Sequence, residues 1–402
     1  MTVRHFVFLQ GMPSPFFRRV GEGLALQKCR VTRINLCLGD WLCWHGPLAI
    51  SYRGTYANWP KYLDDFFASH EVTDLVLLGE QRRYHKEAVT LAHARGIRVV
   101  ANDFGYLRPD WITLERDGMG GNSRFPRDPA EILRKNTAVE TIDLAQRFRD
   151  NGAAMARADL VYNFANLFFG LFYPHYRRTD CRPHTLLYTV TSAIHLLLGK
   201  IRHKSSQSYV QALIRSGAPY FVLPLQLDHD FQIVAYSRFS GMAEVIELVL
   251  TSFARHADVS AQLVVKVHPW DAGMANWGRL VRRLAQRLSI SNRVHYLHGG
   301  SLDELACHAQ GLVTVNSTSG LHALQVNCPV KVLGQAVYDV HGLTYQGNLD
   351  TFWQCRQPPD VAVVRAFVNL MAATIQIRGV FFAEPGCSAA VQNAVQILER
   401  GL

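Results

Sequence analysis

The 402-residue chain has no run of roughly 20 apolar residues, the length a membrane-spanning helix needs. Its most apolar stretch, Leu186 to Gly199, is broken by Thr189, Thr191, Ser192 and His195. The eight cysteines contain no C-x-x-C pair and no histidine partner at zinc-finger spacing, which argues against a zinc module. A disulfide framework does not suit a chain of this size, so reduced, buried thiols in a cytoplasmic protein are expected. Charged residues are only 18% against 49% hydrophobic, and 29 Gly with 16 Pro are too few for a fibrous or low-complexity chain. Disorder is thereby excluded. Acidic residues are in deficit: 42 Lys+Arg against 32 Asp+Glu leave a formal charge of +10, which points to an anionic partner. No RNP-like, helix-turn-helix or zinc pattern is present to make that partner a nucleic acid. The opening residues, Met1 to Gln10, run straight into Gly11-Met12-Pro13-Ser14-Pro15 and read as a first strand rather than a secretory signal.

Two stretches alternate strand and helix patterns, which implies parallel sheets. In the first, His5–Gln10, Val31–Leu36, Asp74–Gly79 and Ile97–Ala101 read as strands, with helices after Ser14-Pro15 and over Lys86–Arg95. In the second, the strands are Tyr220–Gln226, Gln262–His268, Arg293–Leu297, Gly311–Asn316 and Val330–Gly334. Its helices are Ala243–Ala257, Trp277–Leu288, a short one opened by the Ser301–Glu304 capping box, and Gly320–Val326. Between the two, residues 124–206 read as a helical insert, including an amphipathic run Pro129–Arg149 and an aromatic run Phe164–Tyr176. Lys204–Ser208 is the linker candidate. The expected class is therefore α/β, with two Rossmann-like domains and a helical insert in the N-terminal half, the GT-B glycosyltransferase architecture. The expected boundaries are 1–208, 209–384, and a C-terminal helix 385–402 packing back on the first domain.

Five constellations could carry chemistry. In Lys266-Val267-His268-Pro269 a strand stops at a proline, projecting His268 at the carboxyl edge of a parallel sheet, where open α/β folds bind ligands. Asn316-Ser317-Thr318-Ser319-Gly320 joins a strand to a helix, whose first N–H groups attract an anion. It is not a Walker A loop. Gln226-Leu227-Asp228-His229-Asp230 follows the first strand of the second half, and its Asp-X-Asp reads either as a metal motif or as a nucleophile or base. Asn102–Glu115 contains Arg108, suited to holding a carboxylate. Gln10-Gly11 opens a tight strand-to-helix turn without G-x-G-x-x-G, so a dinucleotide site there is unsupported. The aromatic run, followed by Arg177-Arg178, reads as a buried helix or as a membrane-interface element.

Taken in order, these segments resemble the capsule polysaccharide β-Kdo transferases of the KpsS/LipB type. The residues that carry the resemblance are Leu9-Gln10-Gly11 with Pro15–Arg19, Gly39-Asp40-Trp41, Gly105–Glu115, Pro224–Asp230, Lys266–Pro269, Asn316–Gly320 and Gly334–Thr344. The chain departs from the pattern at Asn102–Gly105 and at Gly79–Arg82.

The resemblance implies a cytoplasmic enzyme, peripherally associated with the inner membrane. It would use CMP-β-Kdo and a lyso-phosphatidylglycerol acceptor to start the poly-Kdo linker of a Gram-negative capsule, with retention and without a metal. Lys266, His268, Pro269, Asn316, Ser317, Thr318 and Gly320 would hold the CMP moiety, and Asp230 would be the nucleophile, with Gln226 and Asp228 beside it. Gln10, Gly11, Arg108, Glu115 and Tyr338 would bind substrate. A companion poly-Kdo transferase and the capsule export complex are the implied partners. Two rivals remain open: a transferase for another CMP-sugar or acceptor, and a non-catalytic capsule assembly or export factor that binds lipid-linked glycan.

Overall fold

The computed structural model describes residues 3–178, 185–227 and 231–401. It divides into two compact units, one comprising Met1–Phe125, Thr141–Asp180 and Met371–Leu402, the other Pro126–Glu140 and Cys181–Leu370.

The first unit is built on strands β1 (His5–Phe8), β2 (Arg30–Asn35), β3 (Ala49–Ser51), β4 (Asp74–Leu78), β5 (Arg98–Phe104) and β6 (Trp111–Arg116). Helices α1 (Phe16–Leu26), α2 (Leu38–Cys43), α3 (Trp59–His70) and α4 (Arg83–Ala94) lie between them. α5 (Pro129–Asn136) belongs to the second unit, and α6 (Gly152–Phe168) returns to the first. The second unit continues with α7 (Thr185–Ser216), β7 (Tyr220–Pro224), α8 (Phe231–Tyr236), α9 (Met242–His256) and β8 (Gln262–Lys266). Then come α10 (Trp277–Arg287), β9 (Val294–Leu297), α11 (Leu302–His308), β10 (Gly311–Thr314), α12 (Thr318–Gln325), β11 (Val330–Val332) and α13 (Leu349–Cys355). α14 (Val361–Thr374) leads back to the first unit, which β12 (Gln376–Arg378) and α15 (Gly386–Arg400) complete.

Both sheets are wound alike. The second has the order β11-β10-β7-β8-β9, parallel throughout. The first has β12-β6-β5-β4-β1-β2-β3, in which β6 alone runs against the others, antiparallel to both its neighbours β5 and β12. In each, the chain adds two strands on one side of its first strand and then crosses to the other side. This Rossmann-like winding leaves a switch point between β1 and β4, and another between β7 and β10. A parallel sheet is covered on both faces, so its strands read as continuous apolar runs. Phe6 and Phe8 face a cluster with Val20, Leu24, Ala390 and Phe381, while Val7 and Leu9 face Leu63, Leu75 and Ala88. In the second unit Phe221, Phe253, Phe352 and Trp353 form an edge-to-face aromatic cluster within the core.

The α/β class and the two Rossmann-like halves are as the sequence led us to expect, but the boundaries differ. Residues 126–140 and 181–208 group with the second unit, and 371–384 with the first. Two physical reasons account for this. Lys204–Ser208 is no linker but lies inside the continuous α7, where Gln207 bonds to Glu304 and to the Ser301 N–H at 2.8 and 2.9 Å. Residues 376–378 pair antiparallel with β6, and α15 then packs on α1. The amphipathic run Pro129–Arg149 is helical only through Asn136; beyond Thr137, Arg147 N–H and Phe148 N–H bond to the buried Asp110 carboxylate instead of to helix carbonyls.

Phe381 is 1% exposed and meets Phe16 and Phe104 edge to face at 5.2 Å each, clamping the returning C-terminal segment to the first sheet. Phe381→Ala is expected to lower stability by about 3–5 kcal/mol, from lost burial and the cavity left behind, measured by urea unfolding.

Candidate functional site

The ends of β7 and β10 are tied across the switch point of the second sheet. Gln226, 4% exposed, donates to the Asn316 side-chain oxygen at 2.9 Å and accepts from the Asn316 backbone N–H at 3.1 Å. Asn316 in turn donates to the Gln232 carbonyl at 2.8 Å. An amide is both donor and acceptor, so this reciprocal pair satisfies polar groups at two strand ends that the sheet leaves open.

Beside the pair lies a pocket of about 230 Å³, open on one side to solvent. Its walls are the end of β7 (Pro224, Leu225), the end of β8 (Lys266 to Pro269), the start of α11 (Leu302, Asp303) and the start of α12 (Ser317, Thr318, Ser319, His322). Lys266, 6% exposed, has its ammonium pKa pushed down by burial, an effect that the Asp303 carboxylate opposes. The Trp270 N–H donates to His268 Nδ1 at 3.1 Å. Nδ1 is thus an acceptor, and the ring proton of the neutral histidine sits on Nε2, able to donate. Pro269 ends the strand and sets this turn. Ser317 caps α12, its hydroxyl accepting from the Ser319 N–H at 3.2 Å. The Ser319 hydroxyl lines the pocket and, among the described residues, has no hydrogen-bond partner. A buried ammonium, an imidazole N–H, hydroxyls and a helix N-terminus converge here, a donor set for an anion such as a phosphate.

Gly320 and Tyr338 support this loop. The Tyr338 hydroxyl donates to the Ser317 carbonyl, and a Cβ on Gly320 would lie 2.4 Å from that hydroxyl. Tyr338, expected to bind substrate, is 1% exposed here and props the capped helix start from beneath.

Asp228 and Asp230, with His229 between them, lie outside the described residues. Asp303 and His322 are not among the site residues expected from the sequence, and Ser319 enters there only as part of the Asn316–Gly320 segment. The capping box at Ser301 was the available signal for Asp303, and one helical turn after Thr318 was the signal for His322.

In the first unit Gln10 and Gly11 follow β1 at the corresponding switch point. Gln10 is buried and donates to the Tyr162 and Tyr176 hydroxyls at 2.7 and 3.2 Å, so it serves as scaffold. Gly11 lines a much smaller cavity of about 10 Å³ with Arg18, Arg33, Asp40 and Tyr162. A Cβ there would meet the Phe17 ring at 2.5 Å. Arg108 is exposed, its guanidinium 4.7 Å from the Phe104 ring centre. Glu115, by contrast, is 2% exposed and accepts from the Ser123 hydroxyl. Burial pushes its pKa up to about 7, against the lowering effect of hydrogen bonds from Ser123 and Tyr106; nearby Glu80 raises it further.

The capsule polysaccharide biosynthesis protein family matches residues 73–382. The chain is 31% identical over 385 residues to the capsule polysaccharide export protein KpsS of Escherichia coli, covering 95% of this chain and 98% of that one. It is 28% identical over 393 residues to the capsule polysaccharide modification protein LipB of Neisseria meningitidis serogroup A, covering 95% and 93%. Among solved structures, the Thermosulfurimonas dismutans KpsC β-Kdo 2,7 transferase is similar at 14% identity and a TM-score of 0.46, covering 98% of this chain and 99% of that one.

Glu115 gives a pH test. Its acid form is favoured in the folded state, so the native protein binds more protons than the unfolded chain between about pH 4.5 and 7, and stability falls as pH rises through that window. The full effect is about 3 kcal/mol. Glu115→Gln removes the titration, and urea unfolding at pH 5 and 8 should then show a smaller loss for the variant than for the parent.

Proposed function

Because the chain belongs to the capsule polysaccharide biosynthesis protein family, we propose that it is a retaining β-Kdo transferase that moves Kdo from CMP-β-Kdo to lyso-phosphatidylglycerol, beginning the poly-Kdo linker of a Gram-negative capsule. The observation that carries this reading is the convergence of Lys266, His268 and the Ser317-capped start of α12 on one pocket at a sheet switch point. A CMP-sugar carries a phosphate that becomes a leaving group, and these groups neutralise the charge that develops on it.

The proposed reaction proceeds by double displacement. An Asp230 carboxylate oxygen attacks the anomeric carbon as the bond to the CMP phosphate oxygen breaks, and CMP departs with the bonding electrons. The acceptor hydroxyl then attacks the same carbon, releasing the Asp230 carboxylate; two inversions restore the β configuration. The hydroxyl proton passes to a base, for which Asp228 and His229 are the neighbouring groups in sequence. Lys266 and the Nε2–H of His268 serve the phosphate. The route uses no metal ion. Gln226 acts through Asn316, holding the strand ends at the measured spacing. The anionic acceptor lipid places the enzyme at the inner-membrane surface, alongside a companion poly-Kdo transferase and the export machinery.

The test is one assay with purified protein, CMP-Kdo and lyso-phosphatidylglycerol, with the product linkage read by NMR. Asp230→Asn is expected to lower transfer at least about a thousandfold, and His268→Ala about a hundredfold. A peptide containing Asp230 should gain the mass of one Kdo during turnover. Near-normal transfer by Asp230→Asn would overturn the nucleophile assignment, and CMP-Kdo left intact by the parent would overturn the activity.

A further inference from the structure

We propose that the C-terminal half of α6 and the turn after it form a docking element for the surface of an anionic phospholipid bilayer. α6 is anchored on α2. Tyr162 donates to Asp40 at 3.0 Å, and Asn166 accepts from the Gly39 N–H at 2.8 Å, so the helix stripe carrying these two residues sits on α2. Gly39 is required there, since a Cβ would lie 2.5 Å from the Tyr162 ring. On the opposite stripe Leu160, Val161 and Phe168 are exposed, with Phe164 half-buried between them. Phe164 and Phe168 stack at 5.7 Å with their planes 10° apart. The following turn, Gly170–Phe172, continues the patch: Phe168 is 63% exposed and Leu171 90%, with Phe169 and Phe172 also exposed.

An exposed aromatic and aliphatic patch of this size marks an interaction surface rather than ordinary scatter. Charge identifies the occupant. From Gly152 to Arg178 three arginines (157, 177 and 178) face a single acid, Asp159, a local excess of 3 − 1 = +2. All three arginines are exposed, as is Arg53, whose guanidinium lies over the Tyr173 ring beneath the turn. Apolar anchors rimmed by cations fit the acyl boundary and the phosphate layer of an anionic bilayer. Among the described residues no helix is long and apolar enough to span a membrane, so the contact is interfacial. The choice of an anionic bilayer rests in part on the proposed lipid acceptor; the surface itself does not.

Vesicle flotation without donor or acceptor tests this directly. The parent should float with vesicles containing phosphatidylglycerol, less with pure phosphatidylcholine, and less again at high salt. The double variant Leu171→Asp/Phe172→Asp should bind phosphatidylglycerol vesicles about tenfold more weakly. Both side chains are exposed, so its melting temperature should match the parent's. Its transfer to a water-soluble, short-chain acceptor should be unchanged. Flotation of the variant equal to the parent's, or no flotation by the parent, overturns the proposal while leaving the transferase reading standing. A halved mass in light scattering with flotation unchanged also overturns it, making the patch a self-association surface. Normal flotation with no transfer to any acceptor supports the docking element and removes the transferase reading instead.

Discussion

The reciprocal amide pair of Gln226 and Asn316 is the constraint on which the site depends. The neighbouring strands β7 and β10 are parallel, so their carboxyl ends open a gap in which backbone groups lose their ladder partners. Two side-chain amides close that gap with two hydrogen bonds and a third to Gln232. The turn after β10 is thereby fixed, and with it the Ser317 cap and the direction of α12. On the far side of β7 the ladder is extended by Leu225 N–H to Lys266 O and Val267 N–H to Leu297 O, which carries Lys266 and His268 to the same rim. Truncating Asn316 would leave the buried Gln226 side-chain N–H group without its acceptor, a penalty of about 1–3 kcal/mol concentrated at the ligand-facing edge.

What surrounds the pocket is arranged by charge as much as by shape. Lys266 keeps its ammonium at a buried position with the Asp303 carboxylate partly offsetting the cost. Dipoles that need no counter-ion supply the rest: the His268 N–H, the serine hydroxyls and the start of α12. In the first unit the charge logic is different. Arg33 and Asp40, both nearly fully buried, pair at 3.2 Å and are joined by Tyr162, so the acid holds β2, α2 and α6 together. Burial pushes the Glu115 carboxyl up to about 7, so it titrates near neutral pH. One unit offers cationic groups to a pocket, while the other locks its charges internally.

The elements legible in the sequence were those whose burial is two-sided. Runs such as Phe221-Val222-Leu223 and Leu263-Val264-Val265 stand out because both faces of a parallel sheet are covered, and Pro269 and the Ser301 box mark ends by local chemistry. The edge strands β3 and β12 were not legible, since three residues carry no period of their own, and neither was β6, which lies between β5 and β12. Lys204–Ser208 misled for a similar reason. Its polarity resembles a linker, yet Ser206 is buried and Gln207 is bonded to the α11 start, so tertiary contacts carry the helix through. At the candidate site, residue types at strand ends singled out segments that the structure brings together around one pocket. They could not distinguish groups that line it, such as Lys266 and Ser317, from those that prop it up, such as Tyr338 and Gln226, because that division depends on packing depth.

The central claim is that the β7–β8–β10 rim of the second unit holds the phosphate of a CMP-sugar. Calorimetric titration of CMP tests it most directly, using the parent and a Lys266→Met/His268→Ala double variant whose fold is checked by circular dichroism. The account predicts saturable CMP binding by the parent and at least about a hundredfold weaker binding by the variant. Equal CMP affinity in the two proteins would contradict it.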